Sequence, residues 1–270
     1  MTMSDLLKAR YAAKAPQGEE ANPVLEVLLA HKSVRAYEDR PVSDETLATI
    51  IAAAQSASTS SGLQTWSVIS TRDPEKKAAL AELCGNQFHV RDCAVFTVWL
   101  ADLHRLCEVS RRQEMSAEGA EYLELFLVAC IDAALAAQNA AVAAESMGLG
   151  LVYIGGMRNS PREVARILDL PPRTFAVFGM CLGHPKPDIG TEIKPRLPQS
   201  LVWHEESYDP AIPSEQVEDY DKIMRDFYIR QQMKGRDWSR HSARRVAGPE
   251  SLAGRDALLT HLKAMGFPMK

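Results

Sequence analysis

In FLVACIDAALAAQNAAVAAESMGLGLVYIGG, Phe126 to Gly156, an apolar run of helical length gives way after Met147 to a short β-rich run that ends in two glycines. The first part is the body of a helix expected from about Ala117 to Met147, apolar on most sides. Its own domain, a partner chain or both must bury such a helix. Asp132, Gln138 and Asn139 interrupt it, so it reads as a buried helix of a soluble protein rather than a membrane span. The second part, GLGLVYIGG (Gly148–Gly156), reads as a strand. A double glycine at a strand end lets another molecule approach the backbone closely, and it serves a tight turn or bulge equally well. The glycine spacing does not match a dinucleotide fingerprint, and the next helix starts only after Ser160.

Outward from this stretch, WSVIST (from Trp66), VFTVWLA (from Val95) and FAVFGMCLGHP (from Phe175) have strand character. Helices are expected at the N-terminus, ending near Lys14, and over PVLEVLLAHK from Pro23. A further helix starts at VSDETLATIIAAAQ, with Ser43 as N-cap and Thr46 where a capping-box acid usually stands. From about Ser214 come two charged helices joined by MKGRDW. Few strands, many helices and no strict βαβ alternation make an α+β fold. The expected organisation is an N-terminal extension, 1–22, and one domain, 23–270, that includes a helical excursion over about 214–270.

Over 270 residues the net charge is −4, which gives no electrostatic reason to expect nucleic acid or an anionic membrane as partner. The opening residues have no apolar core of the kind a secretory signal needs. The five cysteines form no CxxC pair, and Cys93, Cys130 and Cys181 lie in apolar segments, as structural thiols do. A reducing cytosol is the expectation.

Against this mildly acidic background, local anion-binding elements are informative. HKSVR, His31 to Arg35, offers cations and a hydroxyl beside a helix end, which is what a phosphate monoester needs, yet alone it reads as a solvated basic turn. Lys194-Pro195-Arg196 is similar. SASTSSGLQ, Ser56 to Gln64, could cradle a polar ligand or be a plain loop. HExxH, GxSxG, the Walker loop and metal-spaced Cys/His clusters are absent, and no metal is expected. His89 has no sequence partner and reads as a surface histidine. With no acid–base or nucleophile set in view, a bound cofactor is the natural place for the chemistry.

HKSVRAYEDRPVS, SSGLQTWSVI, GNQFHV, GLGLVYIGGMRN and FGMCLGHP…KPRLP occur in this order, and together they resemble the nitroreductase family, in particular its oxygen-insensitive, NADPH-preferring members and related flavin reductases. The likeness runs from about Pro23 to Trp238. It implies a homodimer with a mixed, mainly antiparallel sheet surrounded by helices, the long helix at the dimer interface, and FMN as cofactor. It places His31, Lys32, Ser33, Lys194 and Arg196 around the FMN phosphate and ribityl chain, and Arg35 at the pyrimidine edge, where a cation stabilises reduced flavin. Thr59, Ser60 and Gln87 would hydrogen-bond the ring or ribityl hydroxyls. Tyr153, Ile154, Gly155 and Gly156 would pass backbone against the ring, and Ser61 and Gly62 would border the acceptor pocket. Arg230 and Arg236, with Lys234 beside them, match the segment that meets the NADPH 2′-phosphate. The implied activity is a ping-pong transfer of electron pairs from NADPH to nitroaromatics, quinones or similar acceptors. The alternatives are an NADPH-dependent reductase of free flavin and a non-catalytic flavin-binding protein. Three departures stand out: Lys32 where arginine is usual, Gly62 where a bulky aromatic often stands, and VAGPESLAG after Arg245, which lacks basic residues the subgroup often carries.

Overall fold

The computed structural model describes residues 1–270 apart from Ala13, Lys14, Gln17, Glu19, Asp188 and Ile189. In chain order its elements are α1 (Met3–Tyr11), α2 (Pro23–Ala30), α3 (Asp44–Gln55), β1 (Trp66–Thr71), α4 (Pro74–Leu83), α5 (Phe88–Asp92), β2 (Val95–Asp102) and α6 (His104–Arg112). These are followed by α7 (Leu123–Ser146), β3 (Gly150–Ile154), α8 (Pro161–Ile167), β4 (Thr174–Gly183), α9 (Ser214–Arg230), α10 (Trp238–Arg245) and α11 (Leu258–Ala264). The chain divides into two compact units: Met1–Lys32 with Asp188–Leu252, and Ser33–Pro187 with Ala253–Lys270.

The second unit holds a sheet in the order β1-β2-β4-β3 with antiparallel neighbours. A parallel bridge between Ser33 and Leu151 adds the mixed character at the β3 edge. All eight residues of β2 are buried, so this strand is covered on both faces. Its alternation divides the core. Phe96, Val98 and Leu100 join one cluster with Cys181 and Val152, while Val95 and Trp99 join another with Ile50, Leu151 and the alanines of α7. Thr97, polar inside the strand, is satisfied: its hydroxyl donates to Met180 O and accepts the Trp99 indole N–H.

α7 starts later than the apolar pattern indicates. A 3-10 turn occupies Glu118–Glu121, and Tyr122 is extended (ψ 149°), so the helix proper begins at Leu123. The Ser116 hydroxyl accepts the Glu118 N–H, giving the backbone a local alternative to helix. Along α7 the buried residues are alanines at Ala129, Ala133, Ala136, Ala137, Ala140, Ala141 and Ala144, together with Asp132. The larger side chains Leu123, Leu127, Ile131 and Leu135 recur every fourth residue and are exposed. The small face therefore packs inward, and the large apolar face is left outside. By length and composition α7 would be long enough to cross a membrane.

Ser43 caps α3 through the Thr46 N–H, and its hydroxyl donates to the Thr46 hydroxyl in place of the usual acid. Lys14, where the sequence ends the first helix, lies outside the described residues, and α1 closes at Tyr11. The C-terminal segment holds more than the two expected helices: α11 follows, and its Leu262 joins Phe267, Phe175 and Leu103 in the core of the second unit. The apolar pattern of α11 is only two turns long, too short to stand out in a sequence. In the first unit, α1 and α2 accompany α9 and α10, and Tyr220, Met224 and Phe227 of α9 form a small core against Leu197 and Trp238.

Candidate functional site

In the second unit, Ser33 to Tyr37 run along the free edge of β3. Val34 N–H donates to Leu151 O, and the Tyr37 hydroxyl donates to Val34 O. Gly150 makes this possible, because a Cβ there would lie 2.7 Å from the Val34 side chain. Ser33 is thereby paired with Leu151 of β3, and Arg35 follows two residues on. The Arg35 guanidinium is exposed and forms no ion pair among the described residues.

Tyr153 is half-buried on Phe178, and its phenol is held well above its usual value by burial. Gly156 is buried, and the space its missing side chain leaves is used by the protein itself: a Cβ would sit 2.7 Å from Cys84 O at the end of α4. Gln87 donates to the same carbonyl at 2.7 Å, so Gln87 and Gly156 meet around Cys84. The Cys84 thiol is pushed up to about 12 by burial and is not a nucleophile at neutral pH. Gly155 is more open, and its nearest neighbour is the Arg158 guanidinium, which donates to Val177 O.

His89 is not a surface residue. It is 6% exposed, and both ring nitrogens are buried without a hydrogen-bond partner. Burial, with the nearby Arg35 charge, holds its pKa below the usual imidazole value, so the ring is neutral. GNQFHV carries one apolar neighbour on each side of His89 and is too short for periodicity to give the ring a side.

The loop from Thr59 to Gln64 carries three left-handed residues. Ser61 (φ 51°), Gly62 (φ 67°) and Gln64 (φ 52°) are left-handed. Asp132 of α7, 1% exposed, holds the loop at both ends, accepting Ser60 N–H at 3.1 Å and the Thr65 N–H and hydroxyl at 3.0 and 2.9 Å. Ser60, Ser61 and Gly62 are exposed, and Thr59 is half-buried with no cap bond from its hydroxyl. The sequence shows Asp132 only as a polar break in an apolar helix.

In the first unit the organiser is Arg10 of α1, which the sequence assigns to an extension. It is 5% exposed and donates to the carbonyls of Leu29, His31 and Lys194. Its own carbonyl accepts the Arg196 N–H at 2.8 Å. One guanidinium thus draws the HK turn and the KPR loop together. Pro195 between the two cations is buried and accepts the Tyr220 hydroxyl, while Lys194 and Arg196 are exposed. Among the described residues no carboxylate pairs with Lys32, Lys194 or Arg196. An anion is the chemistry this donor set lacks, and a phosphate monoester fits it.

Tyr228 of α9 ties the second basic group to the first. Lys194 Nζ lies 3.2 Å from its hydroxyl, and Arg236 lies over its ring, 5.5 Å from the centroid. Arg230 is spoken for differently, donating to Glu192 at 3.1 Å. A cleft of about 510 Å³ is lined by Lys234, Arg236, Asp237, Arg240, His241 and Arg244, and Asp237 is paired with Arg225. The surrounding cations, after burial, lower the His241 pKa. The described residues contain no cluster of metal-ligating side chains.

A family model for the nitroreductase family matches residues 28–184, more than half of the chain. The chain belongs to the nitroreductase family. The C-terminal domain model of the same family matches residues 194–270. Among nitroreductase-family relatives, the FMN reductase (NADPH) of Bacillus subtilis is 42% identical over 77% of this chain and 84% of its own length. The oxygen-insensitive NADPH nitroreductase of Salmonella typhimurium is 39% identical over 83% of this chain and 90% of its own. Of solved structures, NfrA2 of B. megaterium superposes with a TM-score of 0.87 at 36% identity, covering 93% of this chain and all of that one. The α+β nitroreductase fold expected from the sequence is the fold observed.

Proposed function

We propose that this nitroreductase-family chain is an FMN-dependent oxidoreductase that takes electron pairs from NADPH and delivers them to nitroaromatics, quinones or similar small acceptors. The observation that carries the reading is the pair of cations, Lys194 and Arg196, that Arg10 gathers and that no carboxylate pairs among the described residues. Relatives named as an FMN reductase and a nitroreductase, each using NADPH, support it. FMN, when bound, would supply the two-electron redox chemistry.

His31, Lys32, Ser33, Lys194 and Arg196 bind the phosphate and ribityl chain. Arg35, which forms no ion pair among the described residues, would offer positive charge to the pyrimidine edge. Thr59, Ser60 and Gln87 supply polar contacts, and Tyr153, Ile154, Gly155 and Gly156 supply backbone. Arg236, with Arg230 once it leaves Glu192, recognises the NADPH 2′-phosphate, a group NADH lacks. Ser61 and Gly62, exposed and without bulk, leave the acceptor side wide. The same openness and the name of the B. subtilis relative support a second reading, in which free flavin is the acceptor. The exposed stripe Leu123, Leu127, Ile131 and Leu135 serves as the homodimer face, and the dimer works in the cytoplasm.

The test is an absorbance spectrum of the purified protein before and after anaerobic NADPH. A flavin spectrum that bleaches supports the reading, and a flavin that stays oxidised refutes it. Arg236→Ala is expected to raise the NADPH KM about tenfold, as loss of roughly 1.4 kcal/mol of charge-assisted binding would, and to leave the NADH KM unchanged. Equal effects on both donors would remove Arg236 from the 2′-phosphate.

A further inference from the structure

Asp132 is an anomaly in α7. Aspartate is a poor residue for a helix interior, and a carboxylate is costly to bury without a compensating charge. Here it is 1% exposed, and among the described residues no cation pairs with it. Its whole compensation comes from the Ser60 N–H, the Thr65 N–H and the Thr65 hydroxyl, all donors of the loop that follows α3. Thr65 is anchored in turn, its carbonyl accepting the Asp102 N–H at the end of β2. The loop between these anchors contains left-handed Ser61 and Gln64, conformations that non-glycine residues hold only when the surroundings impose them.

We propose that Asp132 is a positioning residue for the flavin: its two side-chain oxygens, one accepting from Ser60 and the other from Thr65, set the curve of the 59–65 loop, and so the placement of Thr59 and Ser60 for FMN. The inference rests on the FMN reading above. It accounts for a buried side chain whose hydrogen bonds, among the described residues, all go to one loop. Asparagine cannot replace it. With its amide oxygen toward Thr65, its NH2 would face the Ser60 N–H, donor against donor.

The test compares wild type, Asp132→Asn, Thr65→Val and Thr65→Ser as purified apoproteins titrated with FMN. Flavin fluorescence gives the dissociation constant, the visible spectrum gives the ring environment, and thermal unfolding of the apo form gives stability. Asp132→Asn is expected to weaken FMN about tenfold or more and to shift the flavin absorption envelope, with the apo form still folded at assay temperature. Thr65→Val, which loses one of the bonds, is expected to fall between, and Thr65→Ser, which keeps the hydroxyl, to bind as wild type does. A folded Asp132→Asn with unchanged affinity and spectrum overturns the proposal. If that variant does not fold, Thr65→Val decides: wild-type affinity overturns the proposal, and weaker binding restored by Thr65→Ser supports it. Wild-type apoprotein that binds no FMN refutes the function itself, a result distinct from the variant outcomes.

Discussion

Replacing Gly156 by alanine is a direct probe of how β3 is joined to the residues around it. Neither Gly155 nor Gly156 has a positive φ, so the requirement at this pair is space and not backbone conformation. At Gly156 an added Cβ would lie 2.7 Å from Cys84 O and 2.9 Å from Cys84 Cα and Cβ. Carbon atoms pack favourably at roughly 3.5 Å and beyond, so the contact must open by roughly 0.6 Å. The obstacle is backbone at the end of α4, held by the Cys84 N–H to Leu80 O and by Gln87 on Cys84 O. Overpacking against a fixed neighbour costs about 2–3 kcal/mol. For a protein of this size, that lowers Tm by roughly 5–10 °C. At Gly155 the nearest atom is 3.3 Å away at the far end of the Arg158 side chain, so Gly155→Ala is expected to cost less than about 1 kcal/mol. Calorimetry or dichroism-monitored melting of the two apo variants checks the contrast. Because Gln87 shares the displaced carbonyl, Gly156→Ala is also expected to weaken FMN, read by fluorescence titration. A Gly156→Ala protein that melts within about 2 °C of wild type would refute the packing argument.

Two further outcomes follow from the same geometry. Because burial depresses the His89 pKa, the folded state resists a proton that the unfolded chain accepts, so this stability is present above the unfolded value of 6.5 and is lost as pH falls through the lower folded value. His89→Leu is expected to flatten the fall in Tm from pH 7 toward pH 5 and to add about 1–2 kcal/mol at the acid end, and an unchanged pH slope in melting curves would exclude His89 as its source. Glutamate at Ile131 and Leu135, half-exposed on the outer face of α7, is expected to yield a monomer by light scattering, and a dimer that persists in the double variant would place the interface elsewhere.

Much of the second unit could be read from the chain because its signals are local. The apolar and β-branched runs of β1, β2 and β4 each decide their own conformation, and Ser43 ends its helix through the adjacent Thr46. The basic motifs are equally local: HKSVR and KPR are basic whatever surrounds them, and five short motifs in order suffice to indicate the family. Where the apolar pattern misled, a short-range competitor had intervened, as when Ser116 and extended Tyr122 delay the start of α7.

What the tertiary structure alone decided lies at longer range. Arg10 gathers Lys194 across 184 positions, and no feature of KARYAAK announces it. Asp132 reaches Ser60 across 72 positions, which turns a flaw in an apolar helix into the anchor of a loop. Gly156 looks like room for a ligand until α4 fills the space, and His89 looks solvated until α5 packs it inward. The physical reason is common to all of them. Propensity, capping and charge act over a turn or two of chain and are written in the order of residues. The compensation of a buried charge, the pairing of a carbonyl and the filling of a missing side chain depend on which distant segment arrives, and only the folded chain specifies that.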